Sequence, residues 1–178
     1  LMTSAFGKRL MAAMSLFDIS GNFIFGSKPD RYGNVIHDVD KDQTGFAAVC
    51  EVLAECSALK SINLSDIGMG PQGAMMTSSM LRSEKVIAAI SLFDISGNFI
   101  FGSKDKNYTQ VHEVDKDETG FAAICDALSG CAALKSINFS DIGMGAKGAM
   151  LTSSMLRSER LNAAISSFCI SDNPGILS

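Results

Sequence analysis

Apolar residues recur along this chain in short alternating bursts, each ended by a serine. FDIS, INLS, FDIS, INFS and FCIS place that serine at 20, 65, 96, 140 and 171. Alternation of apolar and polar positions marks a strand with one buried face, so short strands are predicted near 17–19, 62–64, 93–95, 137–139 and 168–170. Between them lie GFAAVCEVLAEC and GFAAICDALSGC, and GAMMTSSMLRSEKV and GAMLTSSMLRSERL, which begin with Gly and continue with helix formers. A helix carries the chain back to the same end of a sheet, so the strands should run parallel.

The pattern is a unit written twice. SLFDISGNFIFGS at Ser15 recurs unchanged at Ser91, a shift of 76, and VDKDQTGFAAVC at Val39 and ALKSINLSDIGMG at Ala58 recur shifted by 75. The lost residue falls near PDRYG and DKNY, where a loop tolerates it, and a third copy begins with AAISSFCISDN. Apolar spacing around the serine is constant: Met14, Phe17, Ile19 and Asn22, then Ile90, Phe93, Ile95 and Asn98, then Ile165, Phe168, Ile170 and Asn173. The INLS copy keeps Leu59, Ile62, Leu64 and Met69 but puts Ile67 where the asparagine belongs, so an asparagine ladder is in doubt at alternate turns.

These positions fit LxxLxLxxN, and the chain resembles the leucine-rich-repeat family, most of all its ribonuclease-inhibitor-like or cysteine-containing subclass. That resemblance implies an α/β leucine-rich-repeat solenoid, a right-handed horseshoe segment with a parallel concave sheet and convex helices. It also implies protein or peptide recognition on the concave face. A single turn exposes apolar faces that only a neighbour covers, so residues 1–178 are expected to form one domain of about five to seven turns. The serine steps alternate between 45 or 44 and 31, whereas one turn usually takes roughly 20 to 29 residues. Two readings follow. A degenerate turn hides at HDVDKD and HEVDKD, with His37, Val39, His112 and Val114 inward, or a hairpin pairs NFIFGS with NVIHDV. The hidden turn is the expected arrangement.

Composition narrows the function. With 47% apolar and 19% charged residues the chain should pack a core, and no apolar run approaches the roughly 18 to 20 residues that cross a bilayer. No signal peptide is apparent, the first residue is Leu1 so an upstream segment is expected, and a cytoplasmic location is expected. A net charge of −4 argues against nucleic acid, whose phosphates need a basic stripe. Cys50, Cys56, Cys125, Cys131 and Cys169 are odd in number and lack CxxC pairs, so buried free thiols are expected. No Ser/His/Asp signature or phosphate loop is present, so neither an enzyme nor a cofactor is expected.

Asp40, Asp42, Thr44, Gly45 and Glu51 fall at calcium-loop positions, and Asp115, Asp117, Thr119 and Gly120 repeat them, with Asp126 in place of the bidentate Glu. No incoming helix precedes either loop, so the acids are expected at helix N-termini, where negative charge is favourable, and calcium and other metals are not. His37 and His112 are expected to be structural, and Met75, Met76, Met80, Met150 and Met155 to pack in the core or on the convex side.

The residue between the two inward positions of each strand should face outward. Turn by turn it reads Asp18, Asp38, Asn63, Asp94, Glu113, Asn138 and Cys169, with Ser20, Asp40, Ser65, Ser96, Asp115, Ser140 and Ser171 beside it. Like charges on neighbouring strands repel, so this ladder points to a basic protein or peptide partner at Asp18, Asp38, Asn63, Asp94, Glu113 and Asn138. The alternative is a structural or assembly module of a larger repeat protein.

Overall fold

Each burst stops at its serine for a local reason. The next residue adopts a left-handed backbone in all five turns: Gly21 at φ 69°, Asp66 at 53°, Gly97 at 68°, Asp141 at 50° and Asp172 at 58°. Glycine enters that region freely and Asp tolerates it, so the chain turns off the strand there. A computed structural model describes residues 12–26, 28–29, 35–36, 39–102 and 114–173. In chain order its elements are β1 (Leu16–Asp18), β2 (Lys28–Pro29), β3 (Val35–Ile36), α1 (Thr44–Leu53), β4 (Ser61–Asn63), α2 (Pro71–Leu81), α3 (Glu84–Ala89) and β5 (Leu92–Asp94). The second unit supplies α4 (Thr119–Ser129), β6 (Ser136–Asn138), α5 (Ala146–Leu156), α6 (Glu159–Ala164) and β7 (Ser167–Cys169).

β1, β4, β5, β6 and β7 form one parallel sheet in chain order, with Phe17, Ile62, Phe93, Ile137 and Phe168 in register across it. The fold is therefore α/β with a parallel five-stranded sheet, each strand one residue earlier than the pattern predicts. These central residues point to the helices, and Ile62, Phe93 and Ile137 share a core with Leu53, Val86, Leu128 and Leu161. Aromatic rings thread that core. Phe101 packs on Phe121 at 5.0 Å, Phe121 on Phe139 at 5.1 Å and Phe139 on Phe168 at 5.8 Å.

Two expectations are corrected. The long step after β1 holds an antiparallel pairing of β2 with β3, and Val39 and Asp40 lie in a turn, so among the described residues the parallel sheet gains no strand there. Alternation around HDVDKD resembled a strand, but the pairing of Lys28–Pro29 with Val35–Ile36 turns the excursion back on itself. Residues 37–38 and 112–113, with both histidines, lie outside the described residues. Among the methionines, Met80 and Met155 are buried, whereas Met75 and Met150 are 40% and 73% exposed. A spacing of five residues puts each exposed methionine well round the helix from its buried companion.

Alternation of Asn and Ile at the turns has a structural logic. Asn98 is buried, and its Oδ1 accepts the backbone N–H groups of Ile67 at 3.2 Å and Met69 at 3.0 Å in the preceding turn. Its Nδ2 donates to the carbonyls of Leu64 at 2.6 Å and Ile95 at 2.9 Å. Asn173 repeats this on Ile142, Met144, Phe139 and Ile170. Each asparagine serves the isoleucine turn before it, so Ile67 and Ile142 need only be apolar. Asn22 is exposed and, among the described residues, bonds its own turn, at Ile19 and Ser20. Asn98→Ala should therefore cost about 2 to 4 kcal/mol by leaving two buried N–H groups unpaired, against less than about 1 kcal/mol for Asn22→Ala. Urea denaturation of the two variants measures the difference.

Candidate functional site: the outward face of the sheet

Strand alternation sends two rows of side chains away from the helices. Leu16, Ser61, Leu92, Ser136 and Ser167 form one, and Asp18, Asn63, Asp94, Asn138 and Cys169 form the other. Side-chain hydrogen bonds fix the second row. Asn63 Nδ2 donates to Asp18 Oδ2 at 3.1 Å, and Asn138 Nδ2 donates to Asp94 Oδ2 at 3.0 Å. The second oxygen of each Asp and the amide oxygen of each Asn accept the N–H two residues on: Ser20 for Asp18, Ser65 for Asn63, Ser96 for Asp94 and Ser140 for Asn138. The Ser20 N–H, the Ser20 hydroxyl and Asn63 together hold the Asp18 carboxyl below its ordinary range. Four of the expected residues, Asp18, Asn63, Asp94 and Asn138, are thus brought together. Asp38 and Glu113 lie outside the described residues.

The expected repulsion between neighbouring acids does not arise among the described strands, because acid and amide alternate across them and each acid accepts from the next amide. Sequence reasoning also passed over Leu16 and Leu92, which are 59% and 46% exposed in the row beside the acids. Their signal was the same alternation read two residues earlier.

Asp40 and Asp115 are not part of this face. Asp40 Oδ1 accepts the N–H groups of Gly70 at 2.9 Å and Gly73 at 3.1 Å, and Oδ2 accepts that of Gln72 at 2.8 Å. Asp115 binds Gly145, Lys147 and Gly148 in the same way. Each caps the N-terminus of α2 or α5 from a distant loop, where the helix exposes unpaired donors and partial positive charge. Gly70 and Gly73 admit the carboxylate, since a Cβ on Gly73 would lie 2.7 Å from Phe25 and 3.1 Å from Asp40 Oδ1. GPQG and GAKG are the sequence trace of this cap. Asp42 and Asp117 bond the N–H and hydroxyl of Thr44 and Thr119. Asp40, Asp42, Asp115 and Asp117 of the calcium-like loops therefore face N–H or hydroxyl donors, and among the described residues no three His, Cys, Asp or Glu groups gather as metal ligands.

All five cysteines are free, with Cys50, Cys56, Cys125 and Cys131 buried and Cys169 exposed. Burial pushes the thiols of Cys50, Cys125 and Cys131 up to about 12, while hydrogen bonds from Ser140 and Ser171 lower that of Cys169. No helix among the described residues is long and apolar enough to cross a membrane.

No family model matches the sequence, and a search of curated proteins finds no match. Solved structures do match. One is titled leiomodin-1 actin-binding site 2, with 16% identity, a TM-score of 0.60, and coverage of 94% of this chain and 79% of that one. Another is the Caenorhabditis elegans tropomodulin C-terminal domain, with 8% identity, a TM-score of 0.61, and coverage of 92% and 80%. At these identities the likeness is one of fold. It corrects the family resemblance: the ribonuclease-inhibitor-like, cysteine-containing assignment is not supported, and the matches fall on leiomodin and tropomodulin domains instead. The LxxLxLxxN positions describe a strand and its turn, and leave open the helical connections that distinguish such folds. Neither of these two structures is titled as an enzyme.

Asp115→Ala should cost about 1 to 2 kcal/mol through loss of the α5 cap, measured as a lower urea midpoint. In the native protein a thiol reagent should label Cys169 rapidly, and the four buried cysteines only on unfolding, as counted by mass spectrometry.

Proposed function

We propose that residues 1–178 form one solenoid domain of leucine-rich-repeat shape, with strands on the concave side and helices on the convex side. We further propose that it works as a non-catalytic scaffold holding a protein or peptide partner. The observation that carries this is the outward row Asp18, Asn63, Asp94 and Asn138, a polar surface held in fixed geometry beside exposed Leu16 and Leu92. Rigid polar groups next to exposed apolar side chains suit a protein surface, since little order must be imposed on binding. Asp38 and Glu113 belong to the same proposed surface. The acids favour a partner carrying Lys or Arg, and a net charge of −4 would speed its approach. A cytoplasmic location belongs to the same reading.

The fold likeness to a leiomodin-1 segment titled as an actin-binding site makes actin the first partner to try. Co-sedimentation and fluorescence anisotropy with actin, and with a Lys-rich peptide as a charge control, supply the test. Asp18→Lys with Asp94→Lys should lower the melting temperature by several degrees, through loss of the bonds to Ser20, Ser96, Asn63 and Asn138, but leave the fold intact, because both side chains lie on the outward face. Binding should weaken about tenfold or more, and the wild-type affinity should fall as salt rises. Equal binding by wild type and variant, with no salt dependence, would remove this face from the proposal.

A further inference from the structure

Two grooves open between the helices, one in each unit, at matching positions. The first, between α1 and α2, is a cavity of about 310 Å³ bordered by Cys50 and Glu51 of α1 and by Met76, Ser79 and Met80 of α2. The second, between α4 and α5, is about 240 Å³ and is bordered by the equivalent Cys125, Asp126, Leu151, Ser154 and Met155. Neither opening depends on the limits of the described residues. The groove of α4 and α5 persists with α2 and α3 in place before it, and that of α1 and α2 persists with α3 and α4 in place after it. The two copies together show the groove with each flank occupied.

Sulfur distinguishes the first groove. Cys50 and Met80 are buried and Met76 is half-buried, while Glu51 and Ser79 are exposed at the mouth. Met76 and Met80 stand four residues apart and so share one face of α2, and Cys50 borders the same cavity from α1. The flexible methionine side chain lets its sulfur turn toward a ligand without moving the backbone. Among the described residues no three His, Cys, Asp or Glu groups gather, so the oxygen or imidazole ligands of calcium or zinc are lacking here. One thiol with two thioethers is a soft set, and it selects a soft ion. Charge points the same way. Burial pushes the Cys50 thiol up to about 12, so a bare thiolate is costly in this place. A monovalent cation that replaces the thiol proton leaves the groove neutral, whereas a divalent one would leave a net positive charge beside apolar side chains.

We propose that the groove between α1 and α2 binds a soft monovalent metal ion of the Cu(I) and Ag(I) class through the sulfurs of Cys50, Met76 and Met80. On binding, the Cys50 S–H bond breaks, its proton passes to water, and the sulfur bonds to the metal, whose oxidation state does not change. The second unit supplies an internal control. Leu151 stands where Met76 does, so the second groove offers Cys125 and the single thioether of Met155, and it binds the same ion more weakly.

Calorimetric titration of the whole chain with Ag(I) tests this, in chloride-free buffer and with Cys169→Ser to remove the exposed thiol. Two sites of unequal affinity are expected, the tighter one releasing a proton and showing only sulfur around the metal by X-ray absorption. Met76→Leu copies the residue that the second unit carries, so it should fold, and it should lower the tighter affinity about tenfold. Leu151→Met should raise the weaker affinity about tenfold, and Cys50→Ala should remove the tighter site. Cu(I), kept reduced and competed against a chromophoric chelator, should rank the variants in the same order. Equal affinities in the two grooves overturn the proposal, as does a Met76→Leu variant that binds like its parent. Uptake that proceeds only with loss of the helical circular-dichroism signal overturns it too, since the thiols are then captured from an unfolded chain.

Discussion

Every turn of this array runs its backbone through the core between one strand and the next helix, and peptide groups buried there must be paired. Asn98 and Asn173 supply that pairing from outside the turn that needs it, each reaching back to a turn whose own corner residue is isoleucine. A turn is therefore incomplete until its successor has folded against it. The parallel register, the shared aromatic core and the fixed outward rows all depend on this dependence of neighbour on neighbour.

The same dependence shapes the helix side. Asp40 and Asp115 cap helices that begin 31 residues later in the chain, so a loop of one turn completes the helix of the next. Where a joint is complete, small residues permit backbone contact, as at Gly120. At the equivalent Gly45 no described residue comes within 4 Å of a Cβ built there. Identical sequence in different surroundings separates what the unit requires from what its position provides.

The strands were legible in the sequence because alternation and a left-handed turn after each serine are local signals. Asn98 was visible as a ladder position, but its service to the turn of Ile67 joins residues 31 apart and has no local trace. The excursion after β1 was misread because the alternation in HDVDKD is shared by a strand and by one arm of a hairpin. Four outward residues were placed correctly on one face. Neighbouring acids do not meet among the described strands, since spatial order across the sheet sets acid beside amide, while Asp38 and Glu113 lie outside the described residues. Leu16 and Leu92 were not legible from charge, although the same period places them beside Asp18 and Asp94.

Native-state hydrogen exchange at single-residue resolution tests neighbour dependence most directly. The account predicts that the amides of Ile67, Met69, Ile142 and Met144, none of them in a regular strand or helix, exchange only with global unfolding, at rates matching the central strand amides. Exchange of these four on the timescale of the exposed turn at Gly21, with the strands still protected, would contradict it.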